Sequence, residues 1–184
     1  MPYEPPPELA ALSLAEVAAL VTERKLPPVE QWSPSHSGDS LMRIAADGRW
    51  YHDANEFGDG EITRPAMVRA FASLLRRDGQ GQHWLVTPQQ KLSIAVEDAA
   101  FIATDVVRQD SALTFRLNTD EFVIAGPDHA LRAAGDADTP ALYLAVRGGT
   151  EARLNRSTYL QLIELADADL TVTSQGAAFS LLPA

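Results

Sequence analysis

The chain has 184 residues, 46% of them hydrophobic, and a formal net charge of −10. That supports one compact domain or two small lobes, and the acidic balance argues against general nucleic-acid or anionic-membrane binding while leaving room for a local basic pocket. No cysteine is present, so disulfides, thiolate zinc sites and a cysteine nucleophile are excluded.

No apolar stretch approaches the ~20 residues of a membrane span. The N-terminus lacks the basic region and long apolar run of a secretory signal. A soluble cytoplasmic protein is the expectation. The basic residues are nearly all Arg and Ala is abundant, which GC-rich bacterial coding explains without invoking function.

Met1 to Pro7 is a Pro-rich, acidic lead. Ser13-Leu14-Ala15-Glu16 is a capping box, with Leu12 and Val17 placed as a hydrophobic staple. A helix is expected from Leu14 to about Lys25, stopped by Leu26-Pro27-Pro28. Val29 to Ser37 reads as an extended connector with Trp32 buried as an anchor. Leu41 to Ala45 and Arg49 to His52 form strands around Asp47-Gly48, a hairpin turn signal. Asp53 to Glu61 is polar and Gly-rich and reads as a loop.

Ile62 to Leu75 reads as a helix. Thr63 is placed to cap it, Pro65 sits in its first turn, and Met67, Phe71, Leu74 and Leu75 share one face. Arg76 and Arg77 suit its C-terminal dipole, and Asp78-Gly79 ends it. Strands follow at Gln82 to Thr87, Leu92 to Val96 by its period of two, Ala99 to Arg108, Leu113 to Leu117 and Glu121 to Ile124. Gly126 to Thr139 is loop-rich. Ala141 to Val146 is a strand ending in the sharp turn Arg147-Gly148-Gly149. A helix runs from Leu154 to Ala166, and Leu170 to Thr173 with Ala177 to Leu182 forms a closing hairpin. The expected fold is α+β, with mainly antiparallel sheets and about three helices.

Two echoes point to an internal duplication. Thr63-Arg64 opening one helix resembles Asn155-Arg156 opening another. Met42 to Asp47 resembles Phe115 to Asp120. The expected organisation is an N-terminal helix and connector over 1–37, a first α+β repeat over 38–110 and a second over 111–184.

Several segments, taken in order, resemble the bacterial domain-of-unknown-function family 1285. They are Gly38-Asp39 with Met42-Arg43-Ile44 and Asp47-Gly48-Arg49-Trp50; Arg64-Pro65 leading into Val68, Phe71 and Leu75; Leu85-Val86-Thr87-Pro88 with Lys91; Val96-Glu97-Asp98-Ala99; Gly126-Pro127-Asp128-His129; and Arg147-Gly148-Gly149-Thr150-Glu151-Ala152. The resemblance spans roughly Pro27 to Ala166 and implies an α+β fold with repeated motifs. It implies no activity, cofactor or catalytic residue. The stretch from Asp53 to Gly60 is longer and more acidic than the family's loop.

Gly38-Asp39-Ser40-Leu41 matches the signature of small serine esterases, whose Ser follows a buried strand and whose base is a His three residues after an Asp. Here Asp128 and His129 are adjacent, no buried strand precedes Ser40, and strands and helices do not alternate as that fold requires. The histidines His36, His52, His83 and His129 show no metal spacing. His52-Asp53 with Glu56, Asp59 and Glu61 reads as a solvated polar loop before it reads as a cation site. The three tryptophans, Trp32, Trp50 and Trp84, read as core.

The arginines form the more informative set. Arg43 and Arg116 fall at matching strand positions, Arg64 and Arg156 at matching helix starts, and Arg147 before a Gly-Gly turn. An Arg beside a helix N-terminus suits a phosphate or carboxylate. Pairing with Asp39, Asp47, Glu97, Asp98, Asp120 or Glu151 is the structural alternative. His129, in a turn beside Arg132, completes the candidate ligand-binding set.

These features predict a non-catalytic, ligand- or protein-binding regulatory module with an anion-binding cleft between its repeats. The expected partner is a small anionic ligand or a protein, not nucleic acid or a membrane; no cofactor or metal is expected. A hydrolase using His129 and a carboxylate is one alternative, and a surface-acting scaffold or self-associating protein is another.

Overall fold

The computed structural model describes residues 12–23, 29–53, 60–136 and 138–183. The chain divides into two units, 1–98 and 99–184. The expected stop at Leu26-Pro27-Pro28 and most of the acidic loop before Glu61 lie outside the described residues.

The first unit begins with α1 (Leu14–Thr22). Its capping box forms as the sequence dictates. The Ser13 amide and hydroxyl both donate to Glu16 at 2.7 Å, and the Glu16 amide returns to Ser13 Oγ at 3.3 Å. A 3₁₀ turn, Val29–Gln31, leads to Trp32, which is fully buried. Strands β1 (His36–Ile44) and β2 (Trp50–His52) then form a hairpin. The Ala45 amide closes onto the Arg49 carbonyl, leaving a three-residue loop with Gly48 at φ +87°, a left-handed position that favours glycine.

α2 (Pro65–Ala72) is shorter than its hydrophobic pattern predicts, and the cap is not Thr63. Pro65 disfavours helical geometry in the residue before it. Arg64 is therefore extended, at φ −79° and ψ 111°, and becomes the N-cap without a side-chain capping bond. The helix stops before Leu74 and Leu75. Both are buried, and Leu75 opens β3 (Leu75–Arg77) against β4 (His83–Val86). Arg76 and Arg77 are thus strand residues rather than a helix C-terminus. β5 (Gln90–Val96) completes the sheet in the order β2-β1-β5-β4-β3. β1 and β5 are parallel and every other pair is antiparallel. α1 packs on α2.

The larger sheet of the second unit has six strands, β6 (Phe101–Gln109), β7 (Ala112–Leu117), β8 (Phe122–Ile124), β9 (Leu131–Gly135), β10 (Pro140–Ala145) and β11 (Glu151–Leu154). Their order is β8-β7-β6-β11-β10-β9, with β6 and β11 parallel. β9 and β11 escape a sequence reading. Leu131-Arg132-Ala133-Ala134-Gly135 has little strand preference of its own and is held by its ladder to β10. β11 has four residues and is paired on both sides.

α3 (Arg156–Glu164) packs on β6 and β11, and its cap is as expected: Asn155 Oδ1 accepts from the Thr158 amide at 2.8 Å. The closing hairpin, β12 (Thr171–Ser174) and β13 (Ala177–Ser180), also forms. β12 contacts β7 and β13 contacts β9, so the hairpin links two strands that lie far apart in the sheet order.

The fold is α+β, and a strand order recurs. β2-β1-β5-β4-β3 in the first unit matches β7-β6-β11-β10-β9 in the second, each with its earliest and latest strands parallel at the centre. The helices do not follow this match. α2 lies between β2 and β3, whereas α3 follows β11. Arg64 and Arg156 are therefore not topological equivalents. Nor are Arg43 and Arg116, because β1 corresponds to β6 and not to β7. β6, assigned by sequence to the end of the first repeat, is the first strand of the second unit.

The hairpin tip is secured by Ser174, which is fully buried. Its hydroxyl donates to the Ala125 carbonyl at 2.6 Å and accepts from the Leu113 amide at 2.8 Å. Ser174→Ala strands both buried backbone groups and should cost about 1–3 kcal/mol in a denaturant melt. The exposed Ser157→Ala should stay within roughly 0.5 kcal/mol of the parent.

Candidate functional site

Three of the arginines singled out from the sequence close onto carboxylates. Arg43, on β1, hydrogen-bonds Glu97 at 3.2 Å, lies 3.6 Å from Asp53 and stacks 4.1 Å over the Tyr51 ring. Arg116, on β7, pairs with Asp120. Arg147 pairs with Glu121 at 2.9 Å and lies 5.3 Å over the Phe101 ring. Neighbouring Arg132 makes a bidentate pair with Glu151 at 2.9 and 3.0 Å. Arg64, the N-cap of α2, and Arg156, the first residue of α3, stand exposed with no ion pair among the described residues.

His129 sits in a turn closed by two backbone bonds between Gly126 and His129, and its Nδ1 contacts the Ala145 carbonyl at 3.0 Å. A carbonyl can only accept, so Nδ1 carries the proton in this contact. Among the described residues no hydrogen bond joins His129 to a carboxylate. Ser40 is equally committed. It is buried, donates to the Ser93 carbonyl at 2.7 Å and accepts from the Met42 amide at 3.1 Å. The Gly-Asp-Ser-Leu segment is a register shift in β1, with Leu41 at φ +55°, rather than a nucleophile turn.

A concavity in the first unit involves none of the six. It encloses about 450 Å³ in the first unit, and its walls include Trp32, Pro34, Arg76, Arg77, Trp84 and Lys91. Strand register assembles it. Arg76 lies opposite Trp84, and Val86 opposite Lys91. Alternation along β4 puts Trp84 and Val86 on one face, and Arg76 and Lys91 join that face from the strands on either side.

Asp78 fixes the wall. Its Oδ2 accepts from the Trp84 indole at 2.9 Å, and its Oδ1 accepts from the Gln80 and Gln82 amides, both at 2.9 Å. One carboxylate therefore shapes the β3–β4 loop and orients the tryptophan. Lys91 Nζ lies 4.4 Å over the Trp84 ring, a cation–π contact. Arg76 donates to the Trp32 carbonyl at 3.2 Å, tying the segment before β1 to the sheet. The Trp32 indole N–H is buried with no hydrogen-bond partner among the described residues.

The charge balance is the distinctive feature. Among the described residues, none of Arg76, Arg77 and Lys91 closes a salt bridge. Three cations face one carboxylate, Asp78, in a chain of net charge −10. A sequence reading misses this because it assigns Arg76 and Arg77 to a helix end. Reading Asp78-Gly79-Gln80-Gly81 as a hairpin loop would have placed Arg76 across from Trp84. The described residues hold no cluster of His, Asp and Glu suited to a metal ion, and no helix among them is long and apolar enough to cross a membrane.

Residues 27–99 match the N-terminal domain, and residues 100–181 the C-terminal domain, of the protein family of unknown function DUF1285. The chain belongs to the DUF1285 family. The division between the two DUF1285 domains falls one residue from the division between the two structural units. A crystal structure of a DUF1285 family protein from Silicibacter pomeroyi DSS-3 is similar at 37% identity and a TM-score of 0.74, covering 85% of this chain and 87% of that one. A DUF1285 family protein from Shewanella baltica OS155 shares the fold at 22% identity and a TM-score of 0.55, covering 68% of this chain and 91% of that one. No curated protein matches the sequence.

The Trp84 N–H bond, helped by the Gln82 and Gln80 amides and by Lys91, holds the Asp78 carboxyl below its usual range. A lowered folded-state value means that Asp78 contributes stability above the ordinary Asp range, near pH 3.9. That contribution is lost as pH falls through the lowered value. Asp78→Asn should therefore lose less stability than the parent between pH 5 and pH 2, measured by urea melts followed through tryptophan emission.

Proposed function

We propose that this protein is a non-catalytic binding module whose first unit takes a small anionic ligand in the cavity between Trp32 and the Arg76–Trp84–Lys91 face. The observation that carries this reading is the contrast among the cations. Arg43, Arg116, Arg132 and Arg147 are neutralised by carboxylates, whereas Arg76, Arg77 and Lys91 line a concave site whose one carboxylate, Asp78, closes a salt bridge with none of them among the described residues. Guanidinium forks and an ammonium beside an ordered tryptophan wall suit an organic anion. About 450 Å³ lies within the range of small-ligand pockets. A module that binds a metabolite without transforming it acts as a sensor or regulator, and that is the role we assign.

The hydrolase reading lacks support at His129, which has a backbone carbonyl where a catalytic histidine needs a carboxylate to orient it. The scaffold reading draws on Phe122, Ile124 and Val107, exposed on β8 and β6 with Val107, Thr114 and Ile124 aligned across the strands. This patch carries less specific chemistry than the cavity.

A thermal-shift screen against phosphate esters, carboxylates, nucleotides and divalent metals tests the proposal. Ligand at about 100 times its Kd stabilises by roughly 2.7 kcal/mol, a shift of about 5–10 °C at this size. Organic anions should give the shift, Arg77→Gln and Lys91→Gln should abolish it, and Arg64→Ala and Arg156→Ala should keep it. A shift lost only in the Arg64 and Arg156 variants would move the anion to the helix starts. No shift from any anion would remove the proposal.

A further inference from the structure

Resting on the reading of this cavity as an anion site, we infer that its ligand is a phosphate monoester: a doubly charged, tetrahedral head group on an apolar body. The charge count points to a dianion. Arg76, Arg77 and Lys91 set against Asp78 leave two uncompensated positive charges around the cavity. A carboxylate or a sulfate ester cancels one of them. A phosphate monoester near neutral pH carries close to two negative charges.

The arrangement of donors points the same way. Arg76 and Arg77 are consecutive on β3, so their side chains leave the strand on opposite faces. Both nonetheless line the cavity, and Lys91 reaches it from β5, beyond β4. Three cations on three separate stems suit three phosphate oxygens pointing in different directions. A flat carboxylate needs only one guanidinium fork.

The rest of the cavity is made for something larger than an inorganic ion. Pro34 and Trp84, both half-buried, supply apolar surface beside the cations, backed by the buried Trp32 and Val86. The Trp84 ring cannot swing away, since Asp78 holds its N–H and Lys91 covers one face. An apolar group attached through the ester oxygen would pack on this fixed surface while the head group stays among the cations.

Phenyl phosphate and phenyl sulfate are the discriminating probes, titrated into the full chain by calorimetry at pH 5 to 8. They have the same shape, but the phosphate gains its second charge near pH 6 and the sulfate never does. His83 lies opposite Arg77 in the hairpin. Because both esters meet the same protein charges, His83, Arg76, Arg77, Asp78 and Lys91 included, their affinity ratio isolates the ligand's second charge. The expected result is phenyl phosphate tighter than phenyl sulfate by at least about tenfold at pH 7.5, converging by pH 5. Inorganic phosphate should bind more weakly than the ester, and Arg77→Gln or Lys91→Gln should narrow the gap between the two esters. Equal affinities at pH 7.5, both weakened by those variants, would overturn the dianion inference and leave an anion site. Binding of neither ester would overturn both.

Discussion

Each unit depends on one long-range pairing, the earliest strand of its main sheet laid parallel to the latest strand of that sheet. β1 meets β5 from His36 opposite Gln90 to Ile44 opposite Val96, and β6 meets β11 from Phe101 opposite Ala152 to Ala103 opposite Leu154. A parallel pair cannot be closed by a tight turn and needs a long crossover. In the first unit that crossover is β2, α2, β3 and β4; in the second it is β7, β8, β9 and β10. The intervening elements can only add to the outer flanks of the central pair, and the same flank order results in both sheets. The pairing also buries what the pattern demands. Ile44, Ile94, Phe101, Ala103 and Ala152 are all nearly or wholly inaccessible to solvent.

The candidate site is a by-product of that order. Once β5 lies against β1, β4 and β3 must stack outward from it, and register places Arg76, Trp84, Val86 and Lys91 on one face. Asp78 then converts a loop into a scaffold by meeting two amides and an indole with one carboxylate. Hydrogen bonds to an ionised acceptor are among the stronger ones available, and here they are spent on orientation. Among the described residues the same carboxylate closes no ion pair with Arg76 or Arg77.

Elsewhere, acidic residues meet arginines. Glu97 holds Arg43, Glu121 holds Arg147 while also accepting from Thr119, and Glu151 holds Arg132. These contacts are partly exposed, so each contributes modestly. Their value lies in joining turns and neighbouring strands. An arginine at a suggestive sequence position is thus a poor guide to a ligand until its partner is known. The strand order warns equally against pairing Arg64 with Arg156, since a similar capping sequence arises wherever a helix must start.

Local physics in the sequence determined the α+β class, the capping box at Ser13, the Asn155 cap, the turn at Asp47-Gly48, the closing hairpin and the burial of Trp32. Each depends on neighbours a few residues away or on hydrophobicity alone. The sequence also carried a repeated layout, though it matched the wrong elements, because similar caps and strand ends recur without shared topology. Only the tertiary structure decided where α2 stops, that Leu131–Gly135 and Glu151–Leu154 are strands, which arginines are neutralised and which are left to face a cavity. Leu74 and Leu75 fit a helix by spacing, but burial and the β4 ladder draw the chain into a strand at that point. Arg76 and Lys91 lie far apart in sequence and reach one cavity only through the register of β3, β4 and β5, a relation fixed by hydrogen bonds between strands rather than by any local preference.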